Sequence, residues 1–303
     1  MRKKKVMTLK ERIEKDLTEL FNGRPISEAV RISKKLHVST RGLPQHFVGN
    51  RKAETVLVML NPGMDSKLAD KGFFCKACHS NCKTCHYNRK NATVFMRDYM
   101  REKECFGHMD RMRLDPFDLK QAAFLRDWKG SGIGLPRSFT GIKETDSEVT
   151  RRFAKEAVLM NKLQLELVPY CSRKFDAQPF AKEPSPYETL ISFLETILHE
   201  IVSRKRKYVV FCSAIFEPIF REYEHQHPGT FSGLDGKPIP KQFSKFSGRC
   251  RVICIHYNNR DQMALIAHTF PSHSLLGGGK NMVMYGRFCF KLYQQAKKRF
   301  PKK

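Results

Sequence analysis

Four cysteines within eleven residues form the densest group of potential metal ligands in the chain. They follow the pattern Cys-x2-Cys-x3-Cys-x2-Cys and are Cys75, Cys78, Cys82 and Cys85. Two Cys-x2-Cys pairs supply four thiolates to a tetrahedral ion, although the middle gap is shorter than in a common zinc ribbon. We therefore expect a structural zinc ion, with a 4Fe-4S cluster as the alternative because it also takes four thiolates.

Three further polar segments each follow an apolar run that is typical of a buried strand. The first reads Leu-Asn-Pro-Gly from Leu60, the second Glu-Leu-Val-Pro-Tyr from Glu166, and the third Phe-Pro-Ser-His-Ser-Leu from Phe270. Ligands of open α/β sheets bind outside the carboxyl ends of the strands. We therefore expect these three segments to meet at one edge of a sheet and to form a binding site.

In order and spacing the three segments resemble the motifs of the uracil-DNA glycosylase superfamily, over roughly residues 55–295. That family has Asn-Pro-Gly variants of its first motif, a base-reading side chain at its middle strand end, and a last motif that commonly reads His-Pro-Ser before a wedge residue. The resemblance implies a DNA glycosylase that rotates a nucleotide out of the duplex, hydrolyses the base–sugar bond and leaves an abasic site. No lysine lies within the motifs as a Schiff-base nucleophile, so we expect no lyase step.

The resemblance also implies catalytic roles. Asn61 would position the attacking water, because a neutral amide orients water but cannot take its proton, and Asp65 is the candidate supplementary base. Relatives often place a histidine that stabilises the departing base where this chain has Phe270. His268 and His273 are therefore the candidates for that role, and His273 is favoured because it lies further into the loop.

Glu166 stands where many uracil-removing relatives have asparagine. An ionised carboxylate only accepts hydrogen bonds, so it suits the N4 amino group of cytosine and repels O4 of uracil; a protonated carboxyl could also donate to N3 of cytosine. In the alternative, Glu166 lies on the other face and pairs with a neighbouring Lys or Arg. Tyr170, or else Phe73 or Phe74, could stack on the extruded base, and Phe270 is a further base-binding candidate.

The segment after Phe270 also implies contacts with DNA. Leu275 and Leu276 would fill the space that the extruded base leaves in the stack, as apolar wedges do in other DNA-kinking proteins. Three glycines from Gly277 would let backbone amides approach a phosphate, with a helix directly behind them. The proposed DNA-binding residues are Ser272, Leu275, Leu276, Gly277 and Lys280.

Composition sets limits on the class of protein. The 303 residues carry a formal net charge of +26 and are 41% hydrophobic, which excludes a disordered chain and indicates a polyanionic partner, DNA first. The sequence contains no apolar run of 18 residues, so it predicts no membrane span. A charged stretch after the basic N-terminus argues against a secretory signal. We expect a cytoplasmic monomer that does not bind membranes.

Strands and helices alternate along the chain. Apolar runs predict strands at 55–60, 163–168, 207–212, 250–256 and 263–267. Periodicity predicts helices near 8–22, 92–103, 116–129, 147–153, 187–203, 214–222 and 281–298. This order predicts an α/β, three-layer αβα sandwich around a mostly parallel, four- to five-stranded sheet. We divide it into an N-terminal helical extension, 1–50, and a glycosylase-like domain, 51–303, with a metal-binding insertion at 70–90.

Three functions remain open from the sequence. The favoured one is excision of a modified cytosine from foreign or phage DNA, which would be an antiviral defence. The second is removal of uracil in base-excision repair. The third is a non-catalytic, metal-stabilised nucleic-acid-binding protein. A nucleotide-binding enzyme is less favoured, because no phosphate-binding glycine motif follows the first predicted α/β strand.

Overall fold

The computed structural model describes residues 6–40, 44–60, 116–133, 158–172, 185–243, 246–270 and 279–299. In these ranges the helices are α1 (Leu9–Phe21), α2 (Ser27–Leu36), α3 (Pro116–Leu125), α4 (Ser185–Val202), α5 (Phe216–Gln226) and α6 (Gly279–Arg299). The strands are β1 (Phe47–Gly49), β2 (Thr55–Met59), β3 (Lys162–Glu166), β4 (Tyr208–Phe211), β5 (Phe231–Ser232), β6 (Ile239–Phe243), β7 (Phe246–Tyr257) and β8 (Arg260–Ala267). The helices predicted at 92–103 and 147–153 lie outside the described residues.

One open sheet joins these strands in the order β1-β3-β2-β4-β8-β7-β5, with β6 paired to β7. Its centre, β3-β2-β4-β8, is parallel, so these four strands end at the same edge, which we call the carboxyl edge. On the outside, β1 runs antiparallel to β3 and β7 runs antiparallel to β8. The predicted α/β class is therefore confirmed as a mixed α/β fold with a largely parallel central sheet.

The sheet is wider than we predicted. The five expected strands are β2, β3, β4, β7 and β8, but β1, β5 and β6 extend the sheet to eight strands within the described ranges. The antiparallel pairing of β7 with β8 comes from the tight turn at Asn258 and Asn259, whose φ angles are 51° and 57°. Asparagine tolerates this left-handed conformation, which suits a two-residue hairpin, and the strand therefore returns directly beside its neighbour.

Helices cover both faces of the sheet. We call one the α4 face, where α1, α2, α4 and α5 bury the apolar side chains of β2 and β3. The other is the α6 face, where α3 and α6 pack. Side chains alternate along a strand, and β2 is buried on both sides and apolar from Val56 to Met59. In β3, by contrast, Leu163 and Leu165 pack on the α4 face. The alternating residues Lys162, Gln164 and Glu166 are polar and face the other side.

The N-terminal helices share a core with the sheet. A capping box begins α1, where Glu11 N donates to Thr8 Oγ1 at 3.2 Å and Thr8 N donates to Glu11 Oε2 at 2.8 Å. Ile13 of α1 and Ile32 of α2 are buried in the apolar cluster of the α4 face. The division of the chain at residue 50 stays a prediction.

Close contact between α3 and α6 closes the α6 face. A Cβ atom at Gly286 would lie 1.9 Å from the carbonyl oxygen of Phe124, so only glycine allows the two helices to approach this closely. Trp128 Nε1 donates a hydrogen bond to the carbonyl of Gly286 at 3.0 Å. None of the helices in the described ranges is long and apolar enough to cross a membrane.

Candidate active site

The carboxyl edge brings together the ends of the strands that precede the three motifs. Strand register aligns Met59 with Glu166, and the segment after β4 continues beside β2 through a 2.8 Å hydrogen bond from Cys212 N to Val58 O. On the α6 face the last side chains of the parallel strands therefore form one row, which we call the edge row. It consists of Glu166, Met59, Cys212 and Ala267, all buried. Glu166 is the only carboxyl group in this otherwise apolar row.

Glu166 is held in place from within its own strand. Its side chain is 5% exposed, and Gln164 Nε2 donates to Glu166 Oε1 at 2.5 Å. Burial raises the pKa of the Cys212 thiol, and the negative charge of Glu166 raises it further, while Lys162 acts in the opposite direction. Glu166 therefore acts electrostatically across Met59 on another member of the edge row. Glu166 thus lies on the α6 face, and whether it reads a base or pairs with a Lys or Arg stays a prediction.

A hydrogen-bonded chain of buried polar residues leads to Glu166. Lys162 is 0% exposed, and its Nζ donates to Asp118 Oδ1 at 2.5 Å, to Gln121 Oε1, and to Gln164 Oε1 at 3.4 Å. Gln121 Nε2 in turn donates to Gln164 Oε1 at 2.7 Å. We call these five residues, including Glu166, the Lys162 chain; it joins α3 to β3 under the α6 face.

Sequence reasoning missed most of this chain. The leucines of the run from Leu163 predict a strand but by themselves give no role to Lys162 or Gln164. The available signal was their period-two alternation with the leucines, which places Lys162, Gln164 and Glu166 on one face. In a sheet covered on both faces, such residues must be buried and therefore need partners.

Tyr170 lies on the opposite face from Glu166. It is fully buried, its hydroxyl donates to Asp16 Oδ2 at 2.8 Å, and its ring meets that of Phe193 edge-on at 6.0 Å. His46 Nε2 lies 3.0 Å from the same Asp16 oxygen. We call Asp16, His46 and Tyr170 the Asp16 cluster. These are the surroundings of a core side chain, and we do not assign Tyr170 to base stacking below.

His268 also lies on the α4 face. Its Nε2 is 3.0 Å from Glu217 Oε2 of α5, and Arg251 binds the same carboxylate at 3.0 Å. Burial lowers the pKa of His268, although Glu217 acts in the opposite direction. His268 therefore contacts a helix on the other side of the sheet from the Lys162 chain.

Phe270 shares the α6 face with Glu166. It is buried, and its ring meets that of Phe124 of α3 edge-on at 5.1 Å. However, three strand spacings separate β3 from β8, about 14 Å. A base held at Glu166 would therefore depend on residues after Phe270 that extend back across the edge row.

The other predicted site residues lie outside the described ranges or begin an element. Lys280 is in the first turn of α6, and nothing is described of its side chain. The residues outside the described ranges are Asn61, Asp65, Phe73, Phe74, Cys75, Cys78, Cys82, Cys85, Ser272, His273, Leu275, Leu276 and Gly277. Among the residues that are described, no group of three His, Cys, Asp or Glu side chains is placed to hold a metal.

A basic hairpin borders the carboxyl edge beyond β8. The chain from Lys237 to Arg260 carries six Lys or Arg residues and no Asp or Glu. Arg249 N donates to Thr269 Oγ1 at 2.9 Å, which joins the start of β7 to the segment after β8. Lys241 of β6 is exposed on the α6 side, with its Nζ 5.8 Å from the ring centre of Phe288. We call β6 and the start of β7 the basic hairpin.

Comparisons with protein-family models, with curated proteins and with solved structures give no match. A function for this chain therefore depends on its own motifs and on the chemistry of the carboxyl edge.

Proposed function

We propose that this protein is a monofunctional DNA glycosylase that excises a modified cytosine and leaves an abasic site. One observation carries the proposal: a buried carboxyl group, Glu166, ends a central parallel strand directly beside the end of β2. Asn61 is only two residues after Met59, the strand partner of Glu166, and adjacent strands lie about 4.8 Å apart. The proposed water-positioning amide and the proposed base-reading carboxyl therefore belong to neighbouring strand ends.

The chemistry of Glu166 supports a cytosine-type substrate. A carboxylate has about four lone-pair positions and only accepts hydrogen bonds, as Glu166 Oε1 does from Gln164 Nε2, and so it suits an amino donor on a base. The N4 amino group of cytosine donates at the position where uracil presents the O4 acceptor. In an apolar row of Met59, Cys212 and Ala267, a repulsive contact between two acceptors would not be relieved by water.

The proposed reaction is hydrolytic. A water oxygen attacks C1′ of the extruded nucleotide while the C1′–N1 bond breaks, and the base departs with the electron pair of that bond. Asn61 orients the water, Asp65 takes its proton, and His273 stabilises the negative charge on the departing base. We do not assign His268 this role, because it contacts Glu217 on the other face of the sheet.

The positive charge of the chain supports DNA as the partner. A net charge of +26 and a basic hairpin at the carboxyl edge would neutralise phosphates on either side of the extruded base. Leu275 and Leu276 would fill the vacated stack, while Ser272, Gly277 and Lys280 would contact the backbone. A structural zinc ion at Cys75, Cys78, Cys82 and Cys85 is part of the proposal, and elemental analysis with a visible absorption spectrum would distinguish it from a 4Fe-4S cluster.

An abasic-site assay tests the proposal. Synthetic duplexes would carry one uracil, cytosine, 5-hydroxymethylcytosine or glucosylated 5-hydroxymethylcytosine, and alkali would reveal excision. We expect wild type to cleave at a modified cytosine, and Asn61→Ala to lower the single-turnover rate about 100-fold, as loss of positioning does. No excision of any base by wild type, or unchanged excision by Asn61→Ala, would refute the proposal.

The choice of base is tested at Glu166. Glu166→Asn should shift preference toward uracil, because an amide can donate to O4 and accept from N3–H. The matched control is Glu200→Gln, which alters a carboxyl group that is equally buried but paired with Arg51 at 2.6 Å. An unchanged preference in Glu166→Asn would contradict base reading by this residue. Uracil as the preferred wild-type base would point to repair instead of defence against foreign DNA.

A further inference from the structure

The buried ammonium of Lys162 lies at the start of the strand that Glu166 ends. It donates to three oxygens, on Asp118, Gln121 and Gln164, which accounts for all three of its N–H groups. Four residues of strand separate Lys162 from Glu166, about 13 Å between their Cα atoms. The hydrogen-bonded route from Lys162 to Glu166 therefore passes through the two glutamines.

The chemistry of an ammonium group fixes the direction of the hydrogen bonds. Lysine has donors and no acceptor, so every amide that contacts it must present its oxygen. Gln121 and Gln164 then turn their NH₂ groups away from Lys162, Gln121 toward Gln164 and Gln164 toward Glu166. Apart from the bond from Lys162 to Asp118, the bonds in the chain therefore donate toward Glu166, and the last N–H group points at Glu166 Oε1.

We propose that Lys162, through the Gln121 and Gln164 amides, holds Glu166 as an ionised hydrogen-bond acceptor and so makes the site prefer bases with an exocyclic amino donor. This inference rests on the proposed glycosylase function. A hydrogen bond to a carboxylate favours its charged form, and a proton on Oε1 would collide with the N–H group of Gln164. Lys162 is a positioning residue here, because it acts on the base only through other side chains.

Stability alone does not account for such a chain. A buried ion pair with amide partners is often no more stabilising than well-packed apolar residues of similar volume. On the neighbouring strand β2, Leu57 and Met59, the strand partners of Gln164 and Glu166, have that apolar solution. Within the described ranges, the charged and titratable groups in contact with the Lys162 chain or acted on by Glu166 include Lys162 on its own strand, Asp118 on α3 and Cys212 after β4.

Lys162→Met tests the inference, because it keeps the length of the side chain and removes the charge. Gln164 can then reverse its amide and present an oxygen to Glu166, which favours the protonated carboxyl. We expect the rate ratio for 5-hydroxymethylcytosine over uracil, measured in single turnover on full-length protein, to fall about tenfold, the equivalent of about 1.4 kcal/mol. The infrared carboxylate band that Glu166→Gln removes should also titrate at higher pH in Lys162→Met than in wild type.

Two further variants separate the possible outcomes. Gln164→Leu removes the last donor but leaves the pair of Lys162 with Asp118, and it should have the same two effects. Arg206→Met is the control, since it removes another buried cation that donates to the carbonyl of Ala53 at 2.6 Å and has no role at the carboxyl edge. It should lower stability without changing the base ratio or the carboxylate band.

The infrared measurement keeps the inference independent of catalysis. If wild type excises no base, the glycosylase proposal fails, but a shifted carboxylate titration in the variants would still support the orienting role of Lys162. If wild type excises bases and both Lys162→Met and Gln164→Leu leave the ratio and the band unchanged, the inference is overturned. Should Lys162→Met not fold, Gln164→Leu decides by the same two measurements.

Discussion

Two buried polar groupings on opposite faces of the sheet are organised in different ways. In the Asp16 cluster the carboxylate is at the centre, and groups from distant parts of the chain converge on it: Tyr170 lies 154 residues away and His46 lies 30. In the Lys162 chain Glu166 is at one end, and the amides of Gln121 and Gln164 donate toward it. The Asp16 cluster joins α1 to the sheet. The Lys162 chain instead fixes the direction of the hydrogen bond that Glu166 accepts at the carboxyl edge.

The difference suggests how structural and functional buried charges can be told apart. A central carboxylate uses its accepting capacity on core groups, so its loss should appear as lost stability. A terminal carboxylate is oriented by the residues that donate toward it. Substitution of those residues should therefore change the base preference at the carboxyl edge. Variants in each grouping can test this distinction.

The largest expected effect is on stability, from Asp16→Ala. Asp16 is 0% exposed, and its removal leaves the Tyr170 hydroxyl and the His46 ring without this acceptor. We expect the free energy of unfolding in urea to fall by about 3 kcal/mol or more. Asp261→Ala is the matched control, because the same residue types meet at 2.7 Å with the aspartate 58% exposed, and it should cost about 1 kcal/mol or less. Equal losses in the two variants would show that the Asp16 cluster is not structural.

Gly286→Ala should affect both stability and chemistry. The added methyl group would displace Phe124 and with it α3, which carries Asp118 and Gln121. We expect a loss of about 1–3 kcal/mol, the usual cost of overpacking, together with a lower preference for cytosine-type bases. Met284→Ala, on a more exposed position of α6, is the control and should change neither by as much. Loss of stability with unchanged base preference would argue that the Lys162 chain does not depend on the position of α3.

The Asp16 cluster should also make stability depend on pH. Burial lowers the pKa of His46 below its ordinary value of 6.5, although Asp16 acts in the opposite direction and Arg12 reinforces the lowering. The unfolded chain therefore binds a proton that the folded chain resists, and stability falls as pH falls below about 6.5. Titration of unfolding free energy from pH 7 to 5 should show a smaller slope in His46→Gln, by up to about 1.4 kcal/mol per pH unit. An identical slope in the variant would contradict this assignment.

The smallest expected effect is on the salt dependence of DNA binding, and it tests whether DNA approaches the α6 face or the α4 face. Lys241 lies on the side of the Lys162 chain, whereas Arg249 acts electrostatically on His268 on the other side. If DNA approaches the carboxyl edge from the α6 face, Lys241→Ala should lower the slope of log affinity against log salt by about 0.9, and Arg249→Ala by less. Fluorescence anisotropy measures both slopes. Lys297→Ala, at the far end of α6, should leave the slope nearly unchanged, and a dominant effect of Arg249→Ala would reverse the assignment of the faces.

The sequence predicted the strand ends but not what surrounds them. Apolar runs identified β2, β3 and β8, and their common direction was expected from the alternation of strands and helices. The antiparallel return of β7 depends on two residues, Asn258 and Asn259, whose turn was not considered. The burial of Tyr170 depends on its contact with Asp16 far away in the chain, which no local pattern reveals. The period-two polarity of β3 was readable, but its partners on α3 were not, since they depend on how α3 packs.

The position of Cys212 in the edge row offers an internal spectroscopic probe. Its thiol is buried two strands from Glu166, donates to the carbonyl of Val210 at 3.6 Å, and has a pKa that the charge of the carboxylate raises. The S–H stretching vibration absorbs in a region of the infrared spectrum where proteins are otherwise nearly transparent, and its frequency follows the local electric field. The S–H stretching frequency of Cys212 could therefore report whether a nucleobase occupies the candidate site, without any added label.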